Sequence, residues 1–248
     1  MAGRAWKLTI GRDERILGGR QRIRSEVLIK SGAKMMAAET VAAVPATKHE
    51  QVLAAAAALF MDRGFAGTSM DAVAREAGVS KATVYAHFAS KEDLFEAMVA
   101  RGSAERFATL MHADLDGMNV EAALSLVAHE FLDVLTSPQS LKTMRVVMAE
   151  AGRRPDIAAR FYRAGPARVV NALTAFLDRA KARGALVLDD PRIAAELFFG
   201  MIRGDLHIRR LLGLADTPDA ADVARLADAA VDAFLRAHRP PGAGESVR

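Results

Sequence analysis

Capping residues cut the segment between Lys48 and Val99 into short helical runs, and this punctuation limits the fold more than any other feature of the sequence. Val52, Ala56, Leu59, Phe60 and Arg63 recur at helical spacing, so a helix is expected over Lys48–Arg63 with Gly64 as its stop. Thr68-Ser69-Met70-Asp71 then reads as a capping-box start. The Thr68 hydroxyl would accept the amide three residues on, and Asp71 suits the positive helix end. Met70, Val73, Ala74 and Ala77 form the apolar face of this second helix. Gly78 permits a left-handed residue in a sharp turn, and Ser80 is the expected N-cap of a third helix over Lys81–Phe88. Ser90, followed by Lys91, Glu92 and Asp93, starts a fourth and longer helix whose opening stripe is Leu94, Phe95, Met98 and Val99.

Beyond about residue 115, helices are expected near Val120–Thr136, Gln139–Gly152, Pro155–Arg163, Pro166–Arg183, Pro191–Leu212 and Pro218–His238. Proline begins or precedes several of them, as suits a first turn. Leu186-Val187-Leu188 is the best strand candidate, but Gly184 and Asp189 bound it and a loop is expected. Period-2 alternation is nearly absent, so the expected fold class is all-α. The chain has no cysteine, which excludes a disulfide scaffold, a thiol nucleophile, an iron–sulfur cluster and a Cys-ligated zinc site. No stretch approaches about 18 uninterrupted apolar residues, and the charged N-terminus lacks the apolar core of a signal peptide. The expected compartment is therefore the cytoplasm, with no membrane partner.

Charge is unevenly placed. Residues 1–46 hold nine basic and four acidic side chains, a net +5, while the remaining 202 residues carry −1. This segment is expected to be a poorly ordered basic extension, able to add salt-sensitive attraction to nucleic acid. Residues 47–92 form the expected first domain, 93–238 the second, and 239–248 a frayed tail.

Two short helices joined by a glycine-containing turn are a helix-turn-helix. Its second helix can lie in a major groove about 12 Å wide, with a few exposed side chains reaching base edges. Lys81, Ala82, Thr83, Tyr85 and His87 are the expected exposed set, and Val79, Val84 and Phe88 the buried one. Phe60, Gly64, Thr68, Ala74, Ala77, Gly78, Val79, Tyr85, Phe88, Lys91 and Leu94 stand in an order and spacing that resembles the DNA-binding segment of the TetR/AcrR family of transcriptional repressors. The resemblance spans about residues 48–100. Residues 144–213 resemble the C-terminal domain of an AefR-like branch.

The resemblance implies a three-helix N-terminal DNA-binding domain and a C-terminal helical domain for ligand binding and dimerisation. It implies that Thr68 and Ser69 contact phosphate, with Ser80 beside them as cap. Lys81 and Thr83 would reach bases or phosphates, and Ala82 could touch a thymine methyl. Tyr85 and His87 would contact the backbone, and Lys91 would neutralise a phosphate. These roles match the chemistry of hydroxyls, helix N-termini and lysines toward phosphate and guanine. The implied partners are double-stranded operator DNA, a second copy of the chain and a small-molecule effector. No cofactor and no metal are expected.

In the body, Phe107, Met111, Phe131, Met144, Met148, Phe161, Tyr162 and Phe176 are candidates to line an apolar ligand cavity. Arg145, Glu150 and Arg163 could anchor a polar group. Gly200, Ile202 and Gly204 mark a candidate dimer interface, with glycines four apart on one face of the expected helix Pro191–Leu212, paired with Pro166–Arg183. Enzyme readings find no support. His129-Glu130-Phe131-Leu132-Asp133 lacks the second histidine of HExxH, Ser31-Gly32-Ala33-Lys34 has no companion motif, and GxxxxGK[ST] is absent. Two other readings stay open: a helical small-molecule or partner binder with a vestigial DNA segment, and an activator in place of a repressor.

Overall fold

The computed structural model describes residues 47–107 and 115–241. The basic extension over residues 1–46, Met111 and the end of the tail lie outside them. The described residues form eleven α-helices and one short 3-10 turn, with no strand. α1 (Lys48–Arg63) begins at a full capping box: the Thr47 hydroxyl accepts the Glu50 amide, and the Glu50 carboxylate accepts the Thr47 amide. α2 (Met70–Glu76), α3 (Lys81–His87) and α4 (Lys91–Arg106) are capped by Ser69, Ser80 and Ser90, each accepting the amide three residues on. The cap of α2 is thus Ser69, one residue after the expected Thr68. Gly78, at φ +64°, makes the turn between α2 and α3.

The remaining helices are α5 (Val120–Thr136), α6 (Pro138–Ala151), α7 (Pro155–Ala164), α8 (Pro166–Ala182), α9 (Pro191–Arg203), α10 (Leu206–Leu211) and α11 (Ala220–His238). Five of these start within a residue of their expected positions, because Asn119, Ser137, Asp190 and a first-turn proline signal a start locally. α11 starts after its Asp219 cap, two residues later than expected. The expected single helix Pro191–Leu212 is corrected. Gly204 takes φ +46° and ψ −150° and ends α9, and α10 follows as a separate helix. Leu186-Val187-Leu188 is a loop, as expected. Leu186 and Leu188 are buried while Val187 trades backbone and ring hydrogen bonds with His238 at the end of α11.

Packing divides into two cores. The first gathers α1 to α4 around Phe60, Phe65 and Phe95, and it draws in Val147, Ile157 and Ala164 from α6 and α7. The second gathers α5, α8, α9 and α11 around Leu124, Leu173, Phe176, Phe198 and Phe234. Leu94, Phe95, Met98 and Val99 of α4 belong to the first core, so its apolar contacts continue past residue 92. An ion ladder reinforces that seam. Glu92, Asp93 and Glu96 on α4 meet Arg154, just before α7, and Arg160 and Arg163 on it, at 2.7–3.3 Å. A hydrogen bond from Arg154 holds Glu92, and hydrogen bonds from Ser90 and then Arg160 hold Asp93, below the usual carboxylate range.

At Gly204 the φ/ψ pair lies in a region that side chains with a Cβ avoid. Gly204→Ala is expected to cost about 1–3 kcal/mol, read as a lower urea midpoint with an unchanged slope. Gly200→Ala, with nothing within 4 Å of the new methyl, is expected to leave the midpoint unchanged or raised.

Candidate nucleic-acid interface

The helix-turn-helix is formed by α2 and α3, and its outward chemistry sits on α3. Seven residues make it about 10 Å long, which fits one groove crossing. Val84 is fully buried and Phe88 nearly so, which seats the helix on the first core. Lys81, Ala82, Tyr85 and His87 are exposed as expected, while Thr83 and Val79 are half-buried. Lys81 Nζ lies 2.7 Å from Asp71 Oδ1 and 5.9 Å from the Tyr85 ring centre. The Asp71 hydrogen bond raises the Lys81 pKa, so its ammonium stays charged. Both partners are exposed, and such a pair holds the lysine only weakly. Asp71 thus aims Lys81 across the turn and can release it to a stronger anion. Sequence reading saw Asp71 as a helix-start acid, and nothing in the spacing showed its partner.

Ser80 Oγ accepts the Thr83 amide at 3.0 Å and shares a 2.8 Å hydrogen bond with Thr83 Oγ1. Both hydroxyls remain at the exposed start of α3. His87 packs edge-on to His49 at the start of α1, with ring centres 5.6 Å apart. Ser69 is exposed, and its hydroxyl accepts the Ala72 amide while its own proton is available to a phosphate.

Two residues expected to contact phosphate are engaged within the chain. Thr68 is buried, and its hydroxyl lies within hydrogen-bond distance of the carbonyls of Gly64 at 2.8 Å and Leu59 at 3.2 Å. It ties the α1–α2 turn to the end of α1. Lys91 is half-buried. Its ammonium donates to the carbonyls of Phe65 and Thr68, each at 2.9 Å, and lies 4.4 Å from the Phe65 ring centre. Burial lowers its pKa. Lys91 is a staple on the same turn, and Phe65 is the platform beneath it. Sequence spacing could not place residues 65 and 91 together, because only the packing of α4 against α1 does so.

The body candidates are dispersed. Phe107 and Phe176 are buried in the second core, with Phe131 packed against it on Phe199 at 4.5 Å between ring centres. Phe161 packs against the first core. Met144 is half-buried, while Met148 and Tyr162 are exposed. The described members of the set are therefore spread over both cores and the surface. The polar anchors serve the chain itself: Glu150 accepts the Ala66 amide, Arg163 meets Glu96, and Arg145 donates to the carbonyls of Arg210 and Leu211. Of the dimer candidates, Gly200 is exposed, but Ile202 is fully buried in its own core and Gly204 terminates the helix. The outward residues of α8 include Arg168, Asn171, Asp178 and Arg179. The outward row of α9 is instead Ile193, Leu197, Gly200 and Met201.

Among the described residues there is no group of three or more His, Cys, Asp or Glu able to hold a metal ion, and no helix is long and apolar enough to cross a membrane.

Lys91→Ala is expected to lower stability by about 1–3 kcal/mol in chemical denaturation, because two buried carbonyls lose a charged donor. Lys81→Ala, whose partner is solvated, is expected to stay within about 0.5 kcal/mol of the parent.

Comparison with known proteins agrees with this reading. Residues 52–98 match the model of bacterial regulatory proteins of the tetR family, and residues 122–240 match that of the C-terminal domain of the AefR-like transcriptional repressor. The structure of the flavonoid-responsive regulator FrrA is 36% identical, with a TM-score of 0.68, covering 78% of this chain and 98% of that one. A TetR-family regulator from Mesorhizobium loti is 30% identical, with a TM-score of 0.69, covering 78% and 97%. The regulator SrpR from Pseudomonas putida is 25% identical over 207 residues, 83% of this chain and 92% of that one. The chain belongs to the TetR family of DNA-binding transcriptional regulators, with an AefR-like C-terminal domain, and is not an enzyme.

Proposed function

We propose that this protein is a cytoplasmic, ligand-responsive repressor that binds a palindromic operator as a homodimer and leaves it when a small molecule binds the body. The observation that carries the DNA reading is the outward face of α3, where Lys81, Ala82 and Tyr85 stand exposed on a helix seated by Val84 and Phe88. Lys81 supplies a charged donor for guanine or phosphate, Thr83 a hydroxyl, and Ala82 an apolar contact for a thymine methyl. Ser69, Ser80, Tyr85 and His87 flank them toward the sugar–phosphate backbone. Thr68 and Lys91 act indirectly by fixing the turn before α2.

Self-association rests on α9. Ile193, Leu197 and Met201 recur at i, i+4 and i+8 with Gly200 between them, an exposed apolar row that a second copy would cover. A two-fold pair places two α3 helices about 34 Å apart, one turn of DNA. Coupling between body and DNA-reading unit runs through the α4–α7 ladder and the shared first core. An effector that favours another placement of α7 would shift α4 and spoil the spacing, and typical couplings of about 1–3 kcal/mol change occupancy about 5–150-fold. FrrA is described as flavonoid-responsive, and the AefR-like match is to a repressor; both support this sense of regulation.

Fluorescence anisotropy with DNA from upstream of the protein's own gene, beside scrambled DNA at two salt concentrations, tests the reading. Selective binding that persists at the higher salt is the expected result. Equal, salt-erased binding to both DNAs would favour a partner-binding protein with a vestigial DNA segment. Lys81→Ala and Thr83→Ala are each expected to weaken operator binding by about 1–3 kcal/mol with the melting curve unchanged. Leu197→Asp is expected to convert the dimer to a monomer by light scattering, and to lose operator affinity with it.

A further inference from the structure

Many of the arginines among the described residues are paired internally. Arg154, Arg160, Arg163, Arg179, Arg183, Arg192, Arg225 and Arg239 each meet a carboxylate. One cluster departs from this habit. Between the first turns of α6 and the loop that follows α10 lies a surface cavity of about 200 Å3, lined by Lys142, Arg145 and Arg210 together with Leu141, Gly213 and Ala215. No carboxylate lines it, and none of the three cations has an ion-pair partner among the described residues.

The two guanidiniums are held in place by carbonyls and not by acids. Arg145 donates through Nε to Leu211 and through Nη2 to Arg210, at 3.1 and 3.0 Å. Arg210 donates to Ala215 at 3.1 Å and to Thr136 at 3.3 Å, while its Nε is buried with no partner. Carbonyl anchoring fixes the planes of both forks without neutralising them. Three like charges around one cavity repel one another, and a multiply charged anion between them relieves that repulsion. Planar guanidinium forks match phosphoryl oxygens in geometry, and Lys142 adds a mobile point charge at the rim.

We propose that this cavity is a binding site for a phosphoryl anion, free or esterified to a small molecule, separate from the DNA-reading face on α3. α6 also reaches the DNA-reading unit, because Glu150 accepts the Ala66 amide and Thr143 donates to Met61. An occupant at the start of α6 therefore sits on an element that touches α1 and the turn after it.

The test uses the full chain, isotope-labelled for amide spectra, titrated with potassium phosphate and with glycerol 3-phosphate against potassium chloride at matched ionic strength. The expected result is a saturable shift of the Gly213 amide that chloride does not produce. Lys142→Ala and Arg145→Gln are each expected to weaken that binding at least about tenfold, while Lys81→Ala leaves it unchanged. Arg210 is left intact because it holds Thr136 and Ala215. Equal or tighter binding of glycerol 3-phosphate identifies a phosphate ester as the occupant, and tighter binding of inorganic phosphate identifies the free ion. Absence of a saturable shift with both overturns the proposal. So does a shift that survives Lys142→Ala and Arg145→Gln, or one that Lys81→Ala abolishes. None of these readouts depends on operator binding, so the repressor reading stands or falls separately.

Discussion

The burial of Phe65 beneath two cations organises the DNA-reading half of the molecule. Phe65 stacks on Phe60 and meets Phe95 edge-on, at 5.5 and 5.4 Å between ring centres. The Lys91 ammonium and the Arg154 guanidinium lie over its ring at 4.4 and 5.4 Å. One side chain thereby joins the turn after α1 to the start of α4 and to the residue before α7. Apolar burial supplies the attraction, and cation–π contact with carbonyl capture sets the geometry. α3 inherits its position from this arrangement, since Val84 and Phe88 seat it on the same core.

Because α4 belongs to that core and also carries the acids of the ladder, it is the mechanical link between the two halves. Apolar contacts resist separation but tolerate small slips. Ion pairs between Arg160 and both Asp93 and Glu96 fix the register of α4 against α7. In the other half, the exposed row on α9 and the cationic cavity beside α10 are surfaces the chain leaves uncovered, one apolar and one charged.

Local signals were legible wherever the physics was local. Ser80 and Ser90 cap their helices as their positions indicate, because an N-cap hydroxyl reaches only three residues along the chain. The start of α2 was displaced by one residue because Thr68 found nonlocal use: its hydroxyl is taken by Leu59 and Gly64. Spacing alone puts Gly204 on a helix face, since a glycine inside an apolar period gives no sign of its φ. Packing of α9 into the second core and of α10 against α5 and α6 assigns it the helix end. Ile202 was placed at a dimer surface by spacing, but spacing alone cannot say which of two adjacent helix faces turns inward.

The sequence by itself determined the all-helical class, the helix-turn-helix and the outward identity of Lys81, Ala82, Tyr85 and His87. Capping, the glycine turn and the 3.6-residue period are properties of neighbours in the chain. The tertiary structure alone decided that Lys91 and Thr68 hold the turn before α2, that Asp71 aims Lys81, and that the acids of α4 meet the arginines at and before α7. Each of those decisions depends on groups brought together by folding, at distances where hydrogen bonds and charges act but sequence separation carries no information.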